Sequence, residues 1–218
     1  RVEDSKGKFL GIATLNPNAL ICGRLVSRDE KYPLSKSLLV HRLQIALSLR
    51  EQLFDAPFYR LVYGDSDFLP GLVVDRFGDV CVVQIATAGM EAMKDEIVEA
   101  LQKVLAPSGI LFKNDGKMRE VEGLDSYVRV AAGEVPNEVP LEENGVKFLA
   151  PVLTGQKTGW FFDHRSSRAE LKKLVKGKRV LDVFSYVGGW GVQAAAWGAS
   201  EVVCVDGSAL ALEMVAKN

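Results

Sequence analysis

Short apolar runs separated by turn residues open the chain. Phe9-Leu-Gly-Ile-Ala13 and Ala19-Leu-Ile-Cys-Gly-Arg-Leu-Val26 flank Asn16-Pro17-Asn18, a pattern that predicts strands around a turn. Two or three strands alone are marginal in water, so these need partners elsewhere. Over residues 35–54 the rhythm becomes helical: Leu39, Leu43, Ala46, Leu49 and Leu53 recur at three- and four-residue spacing, with Ser35 or Ser37 placed to cap the start. Strand-like runs return at Tyr59–Tyr63, Leu69–Phe77 and Val80–Ile85, with turns at Gly64-Asp-Ser-Asp67 and Gly78-Asp79. Residues 90–105 predict an amphipathic helix with Met93, Ile97, Leu101, Val104 and Leu105 inward. Ile110–Phe112 and Ser126–Val130 are further strands. We read this order as β-β-α-β-β, a small α+β sandwich. Pro136, Pro140 and Pro151 then punctuate a linker with one more hairpin at Asn144-Gly145.

From about Leu153 the pattern changes again. A polar loop, Thr154-Gly-Gln-Lys-Thr-Gly159, leads into Trp160-Phe161-Phe162-Asp163 and a basic helix over about 164–176. The apolar run Val180-Leu-Asp-Val-Phe184 then meets the glycines of Val187-Gly-Gly-Trp-Gly191. A second apolar run, Val202-Val-Cys-Val205, ends in Asp206. This is a strand–loop–helix–strand unit of the Rossmann-like α/β class. Three domains result: 1–33, 34–150 and 151–218, combining α+β and α/β character.

Composition narrows the picture only a little. Hydrophobic content of 48% and charged content of 25% suit an ordinary globular protein, and no apolar run approaches the ~18 residues of a membrane span. A net charge of −1 leaves nucleic-acid binding to local basic patches. Cys22, Cys81 and Cys204 are odd in number and widely spaced. They suggest neither a disulfide framework nor a metal site, and each reads as a buried reduced thiol in an apolar run. His41 and His164 are too far apart to suggest a metal pair by spacing, so no metal is expected and the cytoplasm is the compartment that fits.

The glycine loop carries the chemistry. Gly189-x-Gly191-x-x-Ala194 formally matches a dinucleotide fingerprint, but the spacing is wrong for one. A pyrophosphate site needs its first glycine almost directly after the strand. Here Asp182 ends the strand and Phe184-Ser-Tyr-Val187 intervenes. A carboxylate beside the loop repels a diphosphate and attracts a cation. S-adenosylmethionine carries an ammonium and a sulfonium and no phosphate. Asp206, at the end of the second strand, is placed to accept two charge-assisted hydrogen bonds from a ribose diol. The competing reading makes Asp182 and Asp206 turn or capping residues.

Asp182-Val-Phe-Ser-Tyr-Val-Gly-Gly-Trp-Gly191 with Asp206 resembles the cofactor motif of class I S-adenosylmethionine-dependent methyltransferases. Gly155-Gln-Lys-Thr-Gly-Trp-Phe-Phe-Asp-His-Arg165 and Asp67-Phe-Leu-Pro-Gly-Leu-Val-Val-Asp-Arg-Phe-Gly78 resemble segments of one group among them. These are the large-subunit ribosomal RNA cytosine-5 methyltransferases with an N-terminal PUA domain. Lys8-Phe-Leu-Gly11, Asn16-Pro17 and Ile21-Cys-Gly-Arg-Leu25 resemble the end of that domain. The resemblance implies a PUA-like remnant over 1–33, a central α+β domain over 34–150 and the first part of a methyltransferase domain over 151–218. It implies cofactor contacts from Asp182, Phe184, Ser185, Tyr186, Gly188, Gly189 and Asp206. It adds Gln156, Lys157, Thr158, Phe162 and Asp163 from the preceding segment. The family's nucleophilic cysteine corresponds to a position beyond Asn218. The chain, which begins without Met, is therefore expected to be a fragment truncated at its C-terminus and at its N-terminus, without activity of its own.

Basic residues suggest where RNA would lie. Arg165 and Arg168 adjoin the proposed cofactor segment, and Lys113, Lys117 and Arg119 cluster in a glycine-containing loop. The helix lysines between Lys172 and Lys178 read as a solvated face. The expected partner is ribosomal RNA, with no membrane and with a homodimer allowed. Two other functions stay open: a guanine-modifying methyltransferase and a non-catalytic RNA-binding module.

Overall fold

The computed structural model describes residues 1–218, which form two compact units, Arg1–Val135 and Pro136–Asn218. The first unit opens with a three-stranded antiparallel sheet of β1 (Val2–Glu3), β2 (Phe9–Leu15) and β3 (Gly23–Ser27). The third strand starts later than the apolar run predicts. Asn16 to Cys22 close as a turn, with the Asn16 N–H donating to the Cys22 carbonyl at 2.8 Å, and Leu20 is left 98% exposed. Cys22 is accordingly exposed, which corrects its reading as a buried thiol.

Helix α1 (Lys36–Leu53) is capped by Ser35, whose hydroxyl accepts from the Leu38 N–H. Then come β4 (Phe58–Tyr63), β5 (Leu72–Phe77), β6 (Val80–Ile85), α2 (Ala88–Glu91), α3 (Lys94–Leu105), β7 (Gly109–Asn114), α4 (Met118–Val121) and β8 (Tyr127–Gly133). The five strands make one sheet in chain order, antiparallel except for β6 beside β7. Three strands thus precede α3, one for each of the three apolar runs, where the order β-β-α-β-β counts two. The helix predicted over 90–105 is broken at Ala92 and Met93 into α2 and α3. Leu39 and Leu43 from α1 and Ile97 and Leu101 from α3 pack with sheet residues such as Val74, Val83 and Phe112 in a single apolar core.

The terminal sheet and the five-stranded sheet lie within one compact unit, Arg1–Val135. Glu122 explains the join. Its buried carboxylate accepts from the Asn16 side chain, the Arg24 guanidinium and the Ala88 N–H. The hairpin at 139–150 lies in the second compact unit with the C-terminal elements.

That hairpin is β9 (Val139–Glu143) and β10 (Val146–Ala150), joined by Asn144-Gly145 with φ of 55° and 78°. Two positive φ values at the turn centre match strand twist, which is why Asn-Gly marks such hairpins. Helix α5 (Arg165–Glu170), β11 (Arg179–Val183), α6 (Gly191–Ala196), β12 (Glu201–Val205) and α7 (Ala209–Lys217) complete the unit. β11 and β12 pair in parallel, with Asp182 opposite Cys204 and Val183 opposite Val205. Asn218 ties α7 to the hairpin, donating to the Leu149 and Val187 carbonyls and accepting from the Leu149 N–H.

Candidate cofactor site

The loop after β11 is wound by three left-handed residues: Phe184 (φ 60°), Tyr186 (φ 50°) and Gly188 (φ 81°). Such angles are strained for aromatic residues and persist only when the surroundings fix them. Here Asp206 and Tyr186 do the fixing. The Asp206 carboxylate accepts the Tyr186 N–H at 2.8 Å and the Ser208 N–H at 2.9 Å. The Tyr186 hydroxyl accepts the Gln156 N–H at 3.0 Å and donates to the Gly159 carbonyl at 3.3 Å. The loop is thereby held from β12 on one side and from the 155–159 segment on the other.

Asp182 anchors the start of α6. Its carboxylate accepts the Gly191 N–H at 2.9 Å. Burial raises its carboxyl above the ordinary range, the Gly191 N–H acts in the opposite sense, and the nearby Asp206 charge raises it further. Packing favours glycine at 191: a Cβ there would lie 2.5 Å from the Cys204 sulfur. Burial likewise raises the Cys204 thiol.

These pieces surround a cavity of about 390 Å³. From the set expected to hold a cofactor it brings together Gln156, Phe184, Ser185, Tyr186, Gly189 and Asp206. The other six do not line it. Asp182 is turned to Gly191, and Gly188 packs beside Val192. Thr158 is fully buried and donates to the Trp160 carbonyl, and Phe162 is buried beneath the Arg165 guanidinium. Lys157 sits over the Phe161 ring, and Asp163 is exposed beside His164. Trp160, Phe161, His164 and Trp190 line the cavity without having been singled out as contacts. Their signal was present in the aromatic density of Trp160-Phe161-Phe162 and in a tryptophan set among glycines.

The cavity wall hangs on Glu143, which the sequence pattern places in a linker. This buried carboxylate accepts from Arg168 at 2.6 and 3.0 Å, from the Trp160 indole at 3.0 Å and from Gln193 at 3.0 Å. Arg165 lies 3.5 Å away. Gln193 also donates to the Gly189 carbonyl at 3.0 Å, and Arg168 to that of Phe161 at 2.6 Å. Arg168 stacks over Trp160, 5.0 Å from the ring centre.

The residues expected to contact RNA are placed as follows. Arg168 is buried and bound to Glu143, so its charge is neutralised inside the unit. Arg119 is buried, donating to the Asp125 and Ile85 carbonyls and paired with Glu91. Lys113 is buried and paired with Asp115 at 2.7 Å. Arg165 is mostly covered, and its burial lowers its pKa. Lys117 alone of the five is exposed.

A family model described as S-adenosylmethionine-dependent methyltransferase matches residues 101–218. Ribosomal RNA large subunit methyltransferase I of Erwinia tasmaniensis is 37% identical over 221 residues, and that of Photobacterium profundum is 38% identical over 221 residues. The chain is matched in full and spans 56% of the length of each. A solved structure described as a SAM-dependent methyltransferase from Streptococcus mutans superposes with a TM-score of 0.83 at 26% identity, over 98% of this chain and 56% of that one. Another, described as a methyltransferase complexed with SAH, gives 0.81 at 26% identity, over 98% of this chain and 55% of that one.

Proposed function

The chain belongs to the S-adenosylmethionine-dependent methyltransferase family, and from that premise we propose that it forms the donor-holding part of an enzyme that methylates large-subunit ribosomal RNA, with C5 of cytosine as the acceptor. The observation that carries the reading is a pair of carboxylates at the C-terminal ends of the two parallel strands, Asp182 within β11 and Asp206 just after β12, with Asp206 lining a cavity rich in aromatic residues.

The residues present suit this cofactor. When bound, S-adenosylmethionine supplies a methyl group on a positively charged sulfur. Asp206 is oriented by two backbone N–H groups, and its oxygens keep lone pairs for ribose hydroxyls. Asp182 is buried near a second carboxylate, and a cation brought to the cavity relieves that repulsion. A diphosphate would worsen it. Phe184, Tyr186 and Trp160 offer faces to a flat heterocycle and exclude water from it.

Methyl transfer to C5 calls for a thiolate that adds to the neighbouring carbon and so makes C5 nucleophilic. None of this chain's three thiols lines the cavity. Cys81 is buried in the other unit, with its thiol pushed up to about 12, and Cys204 is packed against Gly191. The residues described here therefore bind and orient the donor and leave the nucleophile to another group. The proposed setting is the cytoplasm; no helix is long and apolar enough to cross a membrane.

Two measurements test the reading. Calorimetric titration of the chain with S-adenosylmethionine and S-adenosylhomocysteine should show binding that Asp206→Ala removes. Its absence from folded wild-type chain would favour an RNA-binding module without chemistry. Nucleoside mass spectrometry of ribosomal RNA treated with the full-length enzyme should show 5-methylcytidine. A methylated guanosine in its place would overturn the acceptor assignment.

A further inference from the structure

A second concavity, of about 640 Å³, lies wholly within the Arg1–Val135 unit. The end of β3, the connection over 28–35, the first turns of α1 and Phe68 form its walls. Arg28, Lys31, His41 and Arg42 line it, and no carboxylate does. The two acids in the same connection are engaged elsewhere: Asp29 accepts the Lys31 N–H, and Glu30 pairs with Arg1. Between the cations stand two exposed rings, Tyr32 at 57% and Phe68 at 70%.

Phe68 is held outward against its own preference. Its φ of 58° is left-handed, where an aromatic residue is strained. The residues around it allow no escape. Asp67 accepts both Arg50 nitrogens at 2.6 and 2.8 Å and the Tyr63 N–H at 2.6 Å. Leu69 is fully buried, the Phe68 N–H donates to the Asp65 carbonyl, and the Phe68 carbonyl accepts from Arg42. Arg42 also donates to the Val26 carbonyl and so joins the two rims. The Arg42 guanidinium lies 5.8 Å from the centre of the Phe68 ring, and Leu25 and Ile45 line the same groove, so a ring kept mostly exposed by a strained backbone presents one face to whatever enters.

We propose that this groove binds unpaired RNA, with bases stacked on Phe68 and Tyr32 and phosphates met by Arg28 and Lys31. The choice of ligand rests on the RNA-methylating reading above. Exposed aromatic faces interleaved with cations are what an unpaired strand needs, since its bases offer π-faces that a duplex hides. The absence of lining carboxylates fits a polyanion.

The test is fluorescence anisotropy of the intact chain with a labelled, unstructured RNA oligonucleotide, and with the same strand annealed to its complement. The single strand should bind more tightly. Tyr32→Ala and Phe68→Ala should each weaken it about 5- to 100-fold without changing the salt slope. Arg28→Ala and Lys31→Ala should each lower that slope by about 0.7. Phe68→Gly is the sharper variant: relief of backbone strain should raise the thermal midpoint while RNA binding falls, which a merely structural Phe68 would not give. Equal binding of the duplex, wild-type affinity in the two aromatic variants, or capture of an acidic peptide in place of RNA would each overturn the assignment. Titration with S-adenosylhomocysteine separates the two readings. A chain that binds it but not RNA loses the groove and keeps the methyl donor site; one that binds RNA here but not the cofactor does the reverse.

Discussion

Glu143 and Arg168 form a bidentate ion pair, 2.6 and 3.0 Å, inside the second unit, and both side chains are buried. Removing one member leaves an uncompensated interior charge, which costs about 3–5 kcal/mol. Glu143→Ala should therefore lower stability by that order, seen as a shifted urea midpoint. Glu143→Gln should cost less while it still weakens cofactor binding, because Trp160 and Gln193 lose a charged acceptor. Unchanged midpoints in both variants would remove the pair from the account of the cavity.

Asp182 gives a pH prediction. Its carboxyl is raised in the folded protein, chiefly by burial, and returns to the ordinary carboxylate range on unfolding. Its stabilising contribution is thus complete below that ordinary range and is lost as pH rises through the raised value. Asp182→Asn should flatten the stability profile in that interval, while the amide oxygen still accepts from Gly191. The same variant should weaken S-adenosylmethionine binding, because a negative charge behind the cavity wall no longer attracts the cationic cofactor. A profile of unchanged slope would sink the first claim, and unaltered affinity the second.

Gly191 and Cys204 should be coupled. A Cβ at residue 191 meets the Cys204 sulfur at 2.5 Å, so Gly191→Ala should cost about 1–3 kcal/mol through overpacking. Cys204→Ala removes that sulfur, and the double variant should recover part of the loss. A double-mutant cycle on thermal unfolding measures the coupling, and strict additivity would contradict it.

The three thiols should differ sharply toward a disulfide reagent. Cys22 is exposed and should react in the native protein. Cys81 is buried with its thiol pushed up to about 12 and should react only after unfolding. Cys204, half-buried, should fall between them, and rapid modification of Cys81 in the folded chain would contradict this.

Much of this was legible in the sequence, and the losses have physical causes. The capped helix α1, the Asn144-Gly145 hairpin and the strands ending at Asp182 and Asp206 arise from local rules, because caps, tight turns and apolar runs act over a few residues. The burial of Arg168 is not legible, because nothing on a short basic helix announces a carboxylate partner 25 residues away. Glu143 had a signal. Val139, Leu141 and Glu143 alternate along one face of β9, so a carboxylate at the third position points into the core. The contact between the terminal sheet and the segment around residue 122 was not legible for a similar reason: Glu122 joins segments about a hundred residues apart, and no local pattern announces such a bond.

The left-handed turn at Tyr186 has a kinetic consequence. Its N–H is held by Asp206 and its hydroxyl by Gln156 and Gly159, so this wall of the cavity is already set before any ligand arrives. Little ordering remains for the arriving molecule to impose. Association should then be a single fast phase whose rate rises linearly with ligand concentration, and discrimination among nucleosides should reside in how slowly each one leaves.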